Sequence, residues 1–152
     1  MKYDFNFHVT AISMNPFKRN AELLRNRLEP EEDGRNPAMP VFLVPDSSNK
    51  MDPNAIQVMA QTPMGRVSLG YVPARRYCPI CDPGQEKRGI SSYTGAENCP
   101  ECGTKLGLAK TEQILPLLKE DGVVQSCNAI FIGGTTEKAN IGAIVRCVIT
   151  VP

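Results

Sequence analysis

Histidine is nearly missing from this 152-residue chain, which has one, His8. No nucleotide-binding loop, no paired nucleophile and base, and no clustered acids of a metal-dependent nuclease can be found in it. Those gaps argue against an enzyme and against a small-molecule substrate. No apolar stretch approaches 18 residues, and the opening "MKYDFNFHV" has no hydrophobic segment like that of a signal peptide. No membrane span is expected, and the expected location is the cytoplasm. An excess of one charge is also absent. Lys and Arg number 17 against 16 Asp and Glu, so net charge argues neither for nor against a polyanionic partner. The charge is nevertheless uneven, with a basic stretch over 1–28 followed by four acids within "EPEED" at 29–33.

Cysteine is plentiful by comparison, with six residues. In a reducing compartment that number suggests metal before disulfides. "CPIC" at 78–81 and "CPECG" at 99–103 place Cys78, Cys81, Cys99 and Cys102 as two C-x2-C pairs separated by 17 residues. Two intervening residues let both thiolates of a pair face one ion, and two such knuckles complete a tetrahedron. The 25 residues from Cys78 to Cys102 have almost no apolar core, so metal binding must supply their folding energy, on the order of 10 kcal/mol. Four thiolates close the shell, so the expected cofactor is a structural Zn2+ ion, with iron in a rubredoxin-like site as its competitor. Cys147 alternates with apolar residues and is expected to be buried and inert, and nothing beside Cys127 marks it as reactive.

The remaining pattern is mostly strands. "FNFHVTAIS" (5–13) alternates, with Phe5, Phe7, Val9 and Ala11 on one face and His8 on the other. An exposed strand histidine is the plainer reading of His8, ahead of a fifth ligand or a base. "NPFKRNAELLRNRL" (15–28) has a helix signature, with Asn15 as cap and Pro16 at the first helical position. "PVFLVP" (40–45) reads as a strand, and "AIQVMA" (55–60) with "RVSLGYV" (66–72) as a hairpin. "TEQILPLLKEDG" (111–122) reads as a short helix in which Pro116 should cause a kink or a later start. Two tail strands follow, at 123–133 and 141–151. The expected fold is mainly β: a small OB-type or SH3-like antiparallel barrel with one or two short helices. A zinc-knuckle insertion is expected over 77–107, within a single domain spanning 1–152.

"VFLVPDSSNKMDPNAIQV" followed by "GRVSLGYVP" resembles a HIRAN domain, a modified OB-type barrel attached to some helicase-like DNA remodellers and also found alone. The residues that carry the resemblance are Asp52, Asn54, Ala55, Ile56 and Val58, then Gly70, Tyr71, Val72 and Pro73. It extends through "TEQILPLLKEDGVVQ" to "AIVRCVITV" and so covers most of the chain, with the cysteine segment as an insertion. The resemblance implies binding of single-stranded DNA, by capture of a free 3′ end, in the service of a partner helicase or nuclease. Asp52 would accept a hydrogen bond from a terminal 3′-hydroxyl and repel a phosphate there. Tyr71 would stack on a base, worth about 1–3 kcal/mol, and Arg75 and Arg76 would pair with phosphates. Plainer roles stand beside these, with Asp52 capping its own Asp-Pro-Asn turn and Tyr71 packing into the core. The chain departs from the family at Ile12-Ser13-Met14, where a basic-aromatic pair is expected, and at Met51, where an aromatic is expected. Arg75, Arg76, or residues of the insertion such as Lys87, Arg88 and Tyr93, are the ones available to compensate. The alternative function is a zinc-stapled protein-interaction module, an adaptor or a mobile-element inhibitor of a host protein.

Overall fold

The structure is a computed structural model, and it describes residues 1–10, 39–62, 65–85, 89–132 and 142–152. The expected helix at 15–28, the Ile12-Ser13-Met14 triplet, and Lys87 and Arg88 lie outside the described residues. Half-buried alternation produces the main sheet. Strand β1 (Lys2–Thr10) buries Phe5, Phe7 and Val9 and leaves His8 exposed. The strands β2 (Met39–Pro45), β3 (Ile56–Thr62) and β4 (Gly65–Tyr71) follow, and β7 (Val123–Ile132) and β8 (Gly142–Thr150) close the chain. Their order in the sheet is β1-β8-β7-β2-β3-β4, with every pair antiparallel.

The sheet is curled into a half-barrel. Strand β2 pairs with β7 only at Met39 and Pro40 and then, from Val41 to Pro45, runs beside β3. Register shifts at Val58/Met59 and at Val124/Ser126 add local bends of the kind that bulges produce. The edge strands β1 and β4 consequently approach each other. Ile56, Val58, Leu69, Val72, Val145 and Ile149 fill the concave side, each at most 2% exposed. Among the described residues no helix is long and apolar enough to cross a membrane.

Among the described residues the α-helix α1 (Lys110–Lys119) packs against this core through Ile114, which is fully buried. It starts at Lys110, not later as one of the two expectations from sequence had it, and it runs through Pro116 without interruption. Its beginning is held by tertiary hydrogen bonds: Thr111 N donates to Pro73 O at 3.0 Å, and Thr111 Oγ1 donates to Val72 O at 2.8 Å. A proline removes one intrahelical hydrogen bond, and the anchored first turn with the buried Ile114 outweighs that loss. The first strand differs as well. It starts at Lys2 rather than residue 5, because β8 offers partners all the way to Thr150.

Cys127 and Cys147 also need correction. Register sets them directly opposite each other on β7 and β8, and their sulfurs are joined as a disulfide. Cys147 is fully buried as expected, but it is not an isolated thiol.

Candidate metal centre and adjoining pocket

Between β4 and α1 the chain makes an excursion with its own small core of Cys78, Cys99 and Leu106. It leaves through β5 (Arg75–Arg76), which pairs with β6 (Ile90–Ser91), and a further bridge joins Tyr77 to Gly107. Gly107 N donates to Tyr77 O at 2.8 Å, and a Cβ on Gly107 would lie 2.4 Å from the Tyr77 ring. Any larger residue there would force the Tyr77 ring to move.

Inside the excursion the four cysteines converge as the spacing requires, with all four sulfurs within 4.8 Å of one another. Cys78 and Cys102 sulfurs are 3.4 Å apart, and those of Cys81 and Cys99 are 4.0 Å apart. A tetrahedron with sulfur at about 2.3 Å from its ion has edges of about 3.8 Å, so the cluster could hold a metal ion. The knuckles are built to keep it. Cys81 N lies 3.3 Å from Cys78 Sγ and donates to it, and Gly103, at φ +73°, lets its N–H return to Cys99 O at 2.8 Å. Crowding splits the thiols' acidity. Cys102 is drawn down to about 6, first by the Thr104 hydroxyl, whereas Cys81 is pushed up to about 12, first by its hydrogen bond with Cys102. Four thiolates so close together need a cation to offset their repulsion.

The excursion is bolted to the barrel at two points. Arg76 donates to both Glu112 oxygens, Nε to Oε2 at 3.0 Å and Nη2 to Oε1 at 2.6 Å, and its Nη1 donates to Ala96 O at 2.6 Å. Glu112 Oε2 also accepts from Ala109 N at 3.0 Å, which caps α1. Arg76 holds the Glu112 carboxyl below its ordinary pKa. One guanidinium thereby ties module, β5 and helix together, and Arg76 is taken out of the set of free cations. The second bolt is Tyr93, in a 3-10 turn (Ser92–Thr94) closed by Gly95. Its hydroxyl donates to Asp52 Oδ2 at 2.8 Å. Partial burial, then that hydrogen bond, pushes the Tyr93 phenol up to about 12.

Asp52 is buried, at 7% exposure, and its other oxygen accepts from Asn54 N at 2.9 Å. The carboxylate therefore does cap its own turn. Beside it opens a pocket of about 400 Å3 lined by Met51, Asp52, Tyr71, Arg75, Ser91 and Tyr93. Of the residues nominated from sequence, Met51, Asp52, Tyr71 and Arg75 come together here, while Arg76 is engaged elsewhere. Tyr71 and Tyr93 are both exposed, at 38% and 57%, so neither ring is core. Among the described residues Arg75 makes one side-chain hydrogen bond, from Nη1 to Gly89 O at 2.9 Å, which leaves its other guanidinium donors for a ligand. Asp46 was not foreseen. It accepts from Ser48, from Gln57 and, at 3.5 Å, from the Tyr71 hydroxyl, and is held below the usual carboxylate pKa, first by Ser48. The Asp-Ser-Ser run was the only local sign of it. No protein-family model, no curated protein and no solved structure matches the chain.

Proposed function

We propose that the protein is a non-catalytic binding module for the end of a single-stranded nucleic acid, a DNA 3′ end first of all, with a structural zinc ion in the cysteine cluster. The observation that carries this reading is the shared pocket: two exposed tyrosine rings, a guanidinium and a buried carboxylate around about 400 Å3. Aromatic faces accept any base by stacking, and a guanidinium suits a phosphate. Tyr93, supplied by the insertion, provides the second ring that Met51 does not. A carboxylate has about four lone-pair sites, so Asp52 retains acceptor capacity for a terminal hydroxyl beside Asn54 N and the Tyr93 hydroxyl, and it repels a terminal phosphate. The resemblance of the Asp52–Val58 and Gly70–Pro73 stretches to HIRAN domains supports the same reading, with a helicase or nuclease as the enzyme served.

The test is fluorescence anisotropy with a short single strand ending in a 3′-hydroxyl, against the same strand ending in a 3′-phosphate. Asp52→Asn, which keeps an acceptor for Asn54 N, should abolish the preference for the hydroxyl. Equal binding of both ends by the wild-type protein would leave a general strand binder, and no binding at low salt would overturn the reading.

A second reading has its own observation. Ile80, at 69% exposure, and Leu108, at 53%, stand out on the cysteine module, as the apolar anchors of a protein contact do. A protein partner would bind with weak dependence on salt, whereas phosphate contacts impose a steep linear one.

A further inference from the structure

The pocket around Asp52 does not end at Arg75. Pro73 and Arg75 also line a second cleft, of about 340 Å3, whose other walls include His8 of β1, Lys110 at the start of α1, and Asp82 and Gln85 of the cysteine module. Two independent parts of the barrel and the inserted module therefore meet in one concavity continuous in lining with the first.

Charge indicates what this cleft takes. Lys110 and Arg75 are permanent cations, and His8 adds an imidazole donor. Arg76 also borders the cleft, but Glu112 neutralises it. Among the described lining residues the acid is Asp82, which is itself buried, at 8% exposure. Among the described residues, the side chains of His8 and Lys110 make no hydrogen bond or ion pair. Lys110 opens α1, where the positive end of the helix disfavours a cation, and the acid of that first turn, Glu112, is committed to Arg76. Among the described residues, Lys110 and His8 thus border the cleft with no acid bonded to either, and Asp82 shares the lining with them.

We infer that the cleft is a phosphodiester subsite. It holds the backbone leading away from a strand end lodged between Tyr71 and Tyr93, with Arg75 shared by the two compartments. The inference rests on the proposed function and extends it, since it requires a strand of more than one nucleotide.

The experiment compares the salt dependence of binding for a 3′-hydroxyl tetranucleotide in the wild type, Lys110→Gln and His8→Gln, with the His8 ring followed by NMR during titration. Removing Lys110 should weaken tetranucleotide binding several-fold and lower the magnitude of the log–log salt slope by about 0.7. Preference for a hydroxyl over a phosphate end should be untouched, and the His8 resonances should shift with the tetranucleotide but not with a single nucleoside. A tetranucleotide that binds with an unchanged slope in Lys110→Gln and leaves His8 unmoved would overturn the subsite while leaving end binding intact. Failure of the wild type to bind any strand at low salt would overturn both.

Discussion

Tyr93→Phe keeps the ring that lines the pocket and removes only the hydroxyl that reaches Asp52 Oδ2 at 2.8 Å. One hydrogen bond to a carboxylate is lost, so the unfolding free energy should fall by about 1 kcal/mol in a denaturant titration. Strand binding should survive, because the ring remains. Tyr93→Ala, by contrast, should weaken it by about 5- to 150-fold, the worth of one stacked base. Glu112 provides a test by pH. Arg76 lowers its folded pKa below the unfolded value near 4.5, so the pair's contribution to stability is present above that value and is lost as pH falls through the lower folded pKa. Thermal melts of wild type and Glu112→Gln should differ at pH 7 and converge on acidification. A gap that persists in strong acid would count against the ion pair as its cause. Neither bond was legible in the sequence. Tyr93 is 41 residues from Asp52 and Glu112 is 36 from Arg76, and no local pattern links residues so far apart.

Elements were more readable than contacts. Apolar runs bounded by turn residues located β2, β3, β4, β7 and β8 to within a residue or two. The two-residue strands β5 and β6 have no periodicity to show, and only the structure reveals them. Helix α1 was legible in position but not in continuity. Pro116 argued locally for a kink or a later start, and tertiary anchoring at Thr111 and Ile114 accompanies the early start that the helix has. Ile114→Ala should therefore cost about 2–5 kcal/mol, far more than a helix with a mid-sequence proline would suggest on propensity alone. Circular dichroism during chemical unfolding would measure it. The cysteine knuckles were the most legible site of all, since their spacing follows from the geometry of one ion rather than from the fold around it.

At the scale of the molecule, the buried apolar residues among those described fall into two clusters, a large one in the half-barrel and a small one around Cys78, Cys99 and Leu106. If the cysteine cluster holds a metal ion, removing it should accordingly melt one and spare the other. A chelator, or Cys81→Ser, should leave the far-ultraviolet β signal of the main sheet largely intact. Tyr93 should lose its place beside Asp52, and strand binding should fall with it. Loss of the whole sheet on chelation would show that the two cores fold as one. Strand order and the pairing of Cys127 with Cys147 also belong to this scale, and no sequence pattern specifies which strands are neighbours.

Tyr77 and Gly107 are joined as rungs of one bridge, so the chain enters and leaves the excursion at a single point. A segment with so narrow a neck can be excised. Joining residue 77 to residue 107 through a tight turn removes the metal knuckles and Tyr93 yet preserves the path from β4 to α1 and the Arg76–Glu112 pair. The shortened chain should fold as a bare half-barrel, and the excised module, grafted onto another hairpin, should carry the cysteine cluster and its capacity for a metal ion with it.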